Sequence, residues 1–422
     1  MADAARPPLA LFAAYGIELE YMIVDAATLD VRSIADALIA DERGDVEDDV
    51  DRGAFAWSNE LARHVIEVKT NGPVAKLAGA AEGFAAEIAR IEQHLAARGA
   101  RLLPTAMHPW MDPAREFAIW PHGARAIYDA FDRIFDCRGH GWSNLQSAHL
   151  NLPFANDDEF ARLHAAARAV LPLLPALAAA SPYVEGRASG RLDTRLEVYR
   201  TNARRVPSVS GAVVPEPLFT RAAYEAMLEG IYRDLAPLDP EGVLRHEWVN
   251  ARGCIARFDR MALEIRVLDV QECPLADVAI AAVVSRVVRA LCEGGAAQQA
   301  RLRALDTAAL AALLDRATRL GEAAPLDAPD LLAALGLDAG TRTAGDAWRA
   351  LVARHVADDA ELAELHPAIE LLCEEGTLAS RIVRRVAERG ADRDAPPREA
   401  LRAVYAELAD CLRANRMFAA SA

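Results

Sequence analysis

The chain has 422 residues, of which 53% are hydrophobic and 26% are charged. This balance excludes a wholly disordered protein, because the apolar fraction is large enough to build a sizeable core. The 62 acidic and 47 basic residues give a formal net charge of −15, which argues against a nucleic-acid partner because such binders present a basic face. Only two basic residues are lysines, Lys69 and Lys76, so a mechanism built on lysine has two candidates.

The cysteine pattern and the apolar segments predict the compartment. The six cysteines are scattered and form no CxxC pair, which indicates reduced thiols and no zinc or iron–sulfur site. Met1–Ala14 has no basic region ahead of an apolar core and is not expected to be a signal peptide. Val278–Leu291, the longest apolar helix candidate, is too short to span a membrane. We therefore expect a cytoplasmic protein without a membrane partner.

Alternating runs before residue 275 predict strands. Residues two apart on a strand share a face, so each of these runs places polar side chains on one side. The predicted strands are Tyr15–Val24, His64–Thr70, Leu145–Leu152, Arg195–Asn202 and Ala262–Val270.

Helical spacing of apolar residues predicts the remaining elements. Leu77–Arg98 is a helix candidate that Gly99 would end, and Asp157–Ala180 is a second one that Pro172 and Pro175 kink or split. Further predicted helices are Asp277–Cys292, Arg301–Leu320, Asp346–Val356 and Arg398–Asn415. The pattern indicates an α+β protein with a sheet core at 1–275 and a helical part at 276–422 packed on it, or one single domain.

Carboxylates recur on the polar strand faces. Glu18 and Glu20 lie roughly 7 Å apart on one face of a strand whose other face is apolar, so a cation is expected between them. Glu67, His149 and Glu264 occupy similar positions on other strands. If the strands form one sheet, these groups converge, and such a ligand set suits Mg²⁺ or Mn²⁺. The alternative is a solvated face with Glu–Arg pairs across strands.

Motifs on these strands resemble the glutamate–cysteine ligase superfamily, specifically its carboxylate–amine ligase branch. They follow the family's order and cover roughly residues 15–280. The segments are GIELEY at Gly16–Tyr21, Glu60 followed by HVIEVKTNGP with Glu67, SAHLNLPF, and HEWVNARGCIARFDRMALEIRVLDVQECP with its ExR strand and D-x-x-x-C-P turn. The resemblance implies a glutamine-synthetase-like fold, an antiparallel sheet curved around ATP and Mg²⁺, and makes 1–275 the catalytic region.

The resemblance also implies a reaction and roles for individual residues. The reaction is ATP-dependent amide formation between a small carboxylate, such as glutamate, and an amine through an acyl phosphate. The implied metal ligands are Glu18, Glu20, Glu60, Glu67, His149 and Glu264. Glu264 and Arg266 are the catalytic candidates, with Arg266 on the transferred phosphoryl group or, alternatively, in a salt bridge to one of the glutamates. Arg200 and Arg252 resemble positions that contact substrate.

Two departures from the family pattern leave the substrates open. Trp248–Gly253 reads WVNARG without the family's Arg-Pro pair, and the histidine strand reads HLN rather than a doubled-histidine pattern. Both departures fall where substrate is expected to bind. Two alternatives remain, a kinase on the same scaffold and an inactive homologue that binds nucleotide or a partner. A homodimer is compatible with these observations.

Overall fold

The structure, a computed structural model, describes residues 7–419. The beginning of the Met1–Ala14 segment and the end of the 276–422 region lie outside the described residues. Within the described range, no helix combines the length and the apolarity that crossing a bilayer requires.

An antiparallel sheet forms the centre of the fold. Its strand order is β2-β3-β4-β1-β6-β10-β9, and β5 also pairs with β1. The strands are β1 (Gly16–Asp25), β2 (Asp49–Asp51), β3 (Phe55–Asn59), β4 (Val65–Thr70), β5 (Ala100–Leu103), β6 (Ser147–Pro153), β9 (Cys254–Arg257) and β10 (Ala262–Asp269), and a separate hairpin contains β7 (Tyr183–Val184) and β8 (Arg187–Ala188). The predicted antiparallel sheet is confirmed.

Helices cover one face of this sheet and make up most of the chain after residue 273. The helices before that point are α1 (Ala35–Arg43), α2 (Ala80–Ala96), α3 (Pro113–Glu116), α4 (Arg125–Phe135), α5 (His140–Ser143), α6 (Asp157–Val170), α7 (Pro175–Ala178), α8 (Thr194–Asn202) and α9 (Arg221–Leu235). Those after it are α10 (Pro274–Cys292), α11 (Ala296–Ala304), α12 (Thr307–Leu320), α13 (Pro329–Leu335), α14 (Ala344–His355), α15 (His366–Glu375), α16 (Leu378–Glu388) and α17 (Arg398–Arg413).

The two faces of β1 explain how the sheet is oriented. Ile17, Leu19, Tyr21 and Ile23 alternate along the strand and are all buried in the main apolar core. The almost fully buried α10 packs against α2 and α6 in the same core. This core contains residues from both sides of position 275; the division of the chain at 275 stays a prediction.

Four of the five predicted strands are confirmed, and the fifth is wrong. The segment Arg195–Asn202 lies in helix α8, where the side chain of Asp193 accepts a hydrogen bond from the backbone nitrogen of Leu196 at 2.8 Å. An aspartate in this position stabilises a helix start because it satisfies a free backbone N–H group. The alternation of Leu196 and Val198 with polar residues therefore did not indicate a strand here.

The helix predictions needed one correction. Asp157–Ala180 is split into α6, a short 3₁₀ turn at Leu171–Leu173 and α7, as its two prolines predicted. Arg301–Leu320 is not one helix, because the chain breaks between α11 and α12. Asp306 causes the new start, since its side chain accepts from the backbone nitrogen of Ala309 at 2.8 Å.

Candidate active site

The polar face of the sheet forms the floor of a cavity of about 1520 Å³. Strands β1, β4, β6 and β10 supply the floor, and α4, α5 and α8 contribute to the walls. The predicted site residues that line it are Glu18, Glu20, Glu60, Glu67, His149, Glu264 and Arg266. The structure thus brings together all the predicted metal ligands and both catalytic candidates.

Strand register places the first cluster of ligands. Glu18 pairs across β1 with His149 on β6, and the ligand atoms of Glu18, Glu67 and His149 lie within 4.8 Å of one another. Asn151 donates from Nδ2 to Glu18 Oε1 at 3.0 Å. Its side chain lies against Gly16, where an added Cβ would come 3.1 Å from the Cβ of Asn151. This contact explains the glycine that opens the GIELEY motif.

A second cluster shares one residue with the first. Glu20 pairs with Glu67 across β1 and β4, and their ligand atoms lie within 4.8 Å of each other and of Glu60. Glu20 accepts a hydrogen bond from the backbone nitrogen of Ser147 at 2.7 Å. Glu67 accepts from Ser58 Oγ at 2.6 Å. Because Glu67 belongs to both clusters, the floor offers two adjacent ligand sets, one of three carboxylates and one of two carboxylates and an imidazole.

The carboxyl groups of these clusters influence one another strongly. Burial, followed by the charges of Glu20 and Glu67, raises the pKa of Glu60 well above its ordinary value. Burial and the charge of Glu18 raise the pKa of Glu67 to about 7. Burial also opposes the charge on Glu18, but the hydrogen bond and charge of His149 outweigh it and lower the pKa of Glu18 to about 2.

The imidazole and the lysine balance part of this charge. Burial by itself lowers the pKa of His149. The hydrogen bond and the charge of Glu18 together have the larger, opposite effect and raise this pKa to about 9. His149 Nδ1 lies 3.0 Å from Glu18 Oε2. Lys69 Nζ lies 3.2 Å from Glu67 Oε1 and 2.8 Å from Asp49 Oδ1. Carboxylates that outnumber their cationic partners are the donor set that a divalent cation fits.

The two catalytic candidates contact each other on β10. Arg266 donates from Nη2 and Nε to Glu264 Oε1 at 2.5 and 3.0 Å. Arg257 on β9 lies beside the other oxygen, with Nη1 at 3.5 Å from Glu264 Oε2. Burial opposes ionisation of Glu264, but the charges of Arg266 and His149 lower its pKa overall. The guanidinium of Arg266 is therefore held at the cavity floor by a carboxylate.

The two arginines predicted to contact substrate lie elsewhere, and neither lines this cavity. Arg200 is partly exposed on the far side of α8, where its Nη2 donates to Glu197 at 2.6 Å. Arg252 is buried and donates from Nε and Nη2 to the two oxygens of Glu216 at 2.5 and 2.7 Å. Both arginines lie outside the cavity, so the structure does not bring them to the other site residues, and their contact with substrate stays a prediction.

Sequence reasoning missed three arginines that line the cavity, Arg195, Arg257 and Arg260. Arg195 on α8 donates from Nε to Asp269 Oδ1 at 2.5 Å. Its Nη2 atom is buried and has no hydrogen-bond partner within the described part of the chain. The signal for a helix was present, because Asp193 is a favoured N-cap residue just before this segment.

Aromatic side chains line one flank of the cavity, and the sequence pattern did not connect them. We call Tyr128, Phe131, Trp142 and Trp248 the aromatic wall. The ring centroid of Phe131 lies 5.0 Å from that of Trp142 and 5.9 Å from that of Trp248. The hydroxyl of Tyr128 accepts from Asn59 Nδ2 at 3.1 Å. The wall is assembled from α4, α5 and a 3₁₀ turn at Glu247–Val249.

Comparison with solved structures identifies the fold as that of glutamate–cysteine ligases. Glutamate–cysteine ligase from Francisella tularensis, solved in complex with AMP, aligns with a TM-score of 0.59 and 12% identity over 95% of this chain and 89% of that one. A bifunctional glutathione synthetase from Pasteurella multocida aligns with a TM-score of 0.56 and 15% identity over 96% of this chain. The chain spans about half of that protein, 52% of its length.

The sequence comparisons give the family. The model of glutamate–cysteine ligase family 2 (GCS2) matches residues 14–407, and the chain therefore belongs to this family. An "Uncharacterized protein" from Archaeoglobus fulgidus is 38% identical over 61% of this chain and 69% of its own length. A "Putative glutamate--cysteine ligase 2" from Paracoccus denitrificans is 28% identical over 94% of this chain and 96% of its own length. Family and fold together support a carboxylate–amine ligase of the glutamate–cysteine ligase type.

Proposed function

We propose that this protein uses ATP and Mg²⁺, or Mn²⁺, to join a small carboxylic acid to an amine through an acyl phosphate. One observation carries the proposal. The two acidic clusters that share Glu67 lie on the cavity floor, and the Glu264–Arg266 pair lines the same cavity. A site for phosphoryl transfer needs both, because it must position phosphate oxygens and neutralise the charge that develops on them.

The residues of the two clusters fit a divalent cation. The clusters contain four carboxylates and one imidazole, and a fifth carboxylate, that of Glu264, lines the same cavity. We assign the metal to Glu18, Glu20, Glu60, Glu67, His149 and Glu264. When bound, a divalent cation neutralises phosphate oxygens of the nucleotide.

Arg266 then contacts the phosphoryl group during transfer. An oxygen of the substrate carboxylate attacks the γ-phosphorus of ATP, the bond to the β–γ bridging oxygen breaks, and ADP leaves. A planar guanidinium can donate two parallel hydrogen bonds to phosphate oxygens. The bond from Arg266 to Glu264 fixes the orientation of the guanidinium before substrate arrives.

The second step forms the amide. The neutral amine, formed when the ammonium group loses a proton to solvent, attacks the acyl carbon. The bond from the acyl carbon to the phosphate oxygen breaks, and the nitrogen gives up a second proton, so that inorganic phosphate leaves as hydrogen phosphate. Arg195 is the candidate for binding a carboxylate of the acid substrate, because its Nη2 atom is buried beside the cavity and has no hydrogen-bond partner among residues 7–419. Glutamate is one acid of the required chemistry.

Hydroxylamine as the acceptor tests the proposed function without knowledge of the natural amine. Purified protein is incubated with Mg-ATP, hydroxylamine and a panel of small acids, and hydroxamate and ADP are measured. We expect both products with at least one acid, and none without a divalent metal. Glu264→Gln should remove the activity. Glu197→Gln is the matched control, because Glu197 also pairs with arginines but lies outside the cavity.

Isotope labelling tests the acyl phosphate. With ¹⁸O in the carboxylate of the acid that gives hydroxamate, the released phosphate should carry the label. Hydroxamate formed with unlabelled phosphate would exclude an acyl phosphate. A phosphorylated acid that accumulates without any hydroxamate would instead favour a kinase.

A further inference from the structure

The two ends of the active-site cavity differ in their chemistry. At one end, Gly16 pairs with Asn151, which also pairs with Glu264. Arg257 and Arg260, at the hairpin that joins β9 to β10, line the cavity beyond this point. This end, the arginine end, is suited to phosphate groups.

The opposite end is bounded by Tyr128 and Trp142 of the aromatic wall, whereas Trp248 directly follows Glu247, whose Oε2 lies 3.9 Å from Nε of Arg257. The hydroxyl of Tyr128 accepts a hydrogen bond from Asn59. Asn59 is the last residue of β3 and directly precedes Glu60. Trp142 lies just before β6 in the chain. The backbone nitrogen of Ser147, the first residue of β6, donates a hydrogen bond to Glu20. The part of the wall formed by Tyr128 and Trp142 therefore lies beside the second acidic cluster.

The aromatic wall offers apolar surface that the protein itself does not cover. Helix α4 buries Ala130 and Ile134 in the protein interior, whereas Ile127 and Phe131 of the same helix are only half-buried and line the cavity. The rings of Phe131 and Trp248 meet at an angle of 42°. Apolar surface of this kind favours a ligand that displaces water from it, and aromatic rings add favourable stacking.

Charge at this end adds a second requirement. The four side chains of the wall carry no positive charge, Glu20 and Glu60 lie beside it, and Arg266 already binds Glu264. A ligand that suits both features has an ammonium group and an apolar substituent.

We propose, on the basis of the proposed function, that the aromatic wall binds the amine substrate and that this amine carries an aromatic or branched aliphatic group. A small polar amine such as cysteine would leave the wall uncovered. An apolar amino acid and the corresponding amine without a carboxylate share this chemistry, and the experiment below separates them.

The direction of phosphoryl transfer explains why the wall receives the amine and not the nucleotide. In an in-line displacement the attacking carboxylate and the departing ADP lie on opposite sides of the phosphorus. Arg266 and the arginine end set the position of the phosphates, so ADP leaves on that side. The acid and then the amine approach from the side of the aromatic wall.

The test compares acceptors under saturating Mg-ATP with the acid that gives hydroxamate. The acceptors are hydroxylamine, ethylamine, phenethylamine, cysteine, alanine and phenylalanine. We expect kcat/KM for phenethylamine, phenylalanine or both to exceed that for ethylamine, alanine and cysteine by about tenfold or more, the discrimination that a few methylene-sized contacts give. A comparison of kcat/KM for phenethylamine with kcat/KM for phenylalanine shows whether the preferred acceptor carries a carboxylate.

Variants connect that preference to the wall. Phe131→Ala, and separately Trp248→Ala, should lower the ratio of kcat/KM for the preferred apolar acceptor to kcat/KM for hydroxylamine by about tenfold. Phe135→Ala is the matched control. Phe135 stacks on Trp142 with centroids 5.5 Å apart but does not line the cavity, so its ratio should stay that of the parent protein.

Three results would overturn the inference. Cysteine or ethylamine used as efficiently as the apolar acceptors would show that the wall does not select the amine. If Phe131→Ala raises the KM for ATP more than it raises the KM for the acceptor, the wall binds the nucleotide base instead of the amine. Hydroxamate formed with no acid at all would overturn the proposed function, and the inference with it.

Discussion

Two regions of this protein bury acidic side chains in different ways. Where the helical part packs on the sheet region, Glu272, between β10 and α10, is fully buried and lies 2.5 Å from Nη1 of the buried Arg381 on α16. On the cavity floor, Glu20, Glu60 and Glu67 lie together, and within residues 7–419 no arginine forms an ion pair with any of them. The Glu272–Arg381 pair is electrically neutral, whereas the carboxylates on the cavity floor require further cations.

The difference separates structural charges from functional ones. A buried carboxylate is costly unless a partner neutralises it, so a protein that keeps together more carboxylates than cationic partners must gain something else from them. Here the gain we propose is metal and nucleotide binding. The comparison predicts that changes in the paired region alter stability, and that changes on the cavity floor alter activity.

The largest expected effect on stability is at the paired region. Arg381→Ala removes the partner of Glu272 and also a donor to the backbone oxygen of Phe418. We expect it to lower the free energy of unfolding by about 3–5 kcal/mol, because it leaves a buried charge uncompensated. Urea unfolding measures this, with the exposed Arg413→Ala as the control. Equal losses in the two variants would remove the distinction between the regions.

On the cavity floor, Arg266→Lys should alter turnover more than stability. Lysine keeps the charge but cannot donate two parallel hydrogen bonds from a planar group. We expect kcat to fall about 10²-fold, with little change in the KM for ATP, because the contact matters mainly in the transition state. Steady-state kinetics measure both values. A fully active lysine variant would show that Arg266 serves only to pair with Glu264.

The acidic clusters should respond to metal with added stability. A ligand that binds only the folded protein stabilises it by about 2.7 kcal/mol at a hundred times its Kd. We therefore expect Mg-ATP to raise the melting temperature, ATP with EDTA to do much less, and Glu67→Gln to abolish the difference. Differential scanning fluorimetry measures the shifts. An equal shift with and without metal would contradict the assignment of the clusters.

The sequence predicted the cavity floor better than its walls. On β1, Glu18 and Glu20 alternate with buried apolar residues, and this period of two fixes both the strand and the face. Glu60 follows β3 and lies outside any strand, so only the resemblance to the ligase family pointed to it.

The walls depend on contacts that no local pattern reveals. Arg195 was placed on a strand because Leu196 and Val198 alternate with polar residues, a pattern that a short helix with an aspartate cap also allows. Phe131, Trp142 and Trp248 come from three separate segments, and only tertiary folding brings their rings together.

The smallest expected effect concerns two neighbouring carboxyl groups to which no metal is assigned. Glu247 and Asp259 lie at the rim of the cavity, where burial and then the hydrogen bond to Asp259 raise the pKa of Glu247 to about 7. The folded-state pKa is above the unfolded value of about 4.5, so the folded protein binds more protons between these values. The stabilising contribution of Glu247 is then fully present below pH 4.5 and is lost as the pH rises through 7.

Replacing this carboxylate should flatten that part of the pH profile. Glu247→Gln keeps the shape and cannot ionise, so between pH 5 and 8 its free energy of unfolding should fall less than that of the parent protein. Because Glu247 keeps some contact with solvent, we expect a difference on the order of 1 kcal/mol. Urea unfolding across this range measures it, with the exposed Glu241→Gln as the control for loss of one charge. An unchanged slope would mean that burial and Asp259 do not raise the pKa of Glu247, and that the arginine of the rim, Arg257, neutralises its charge.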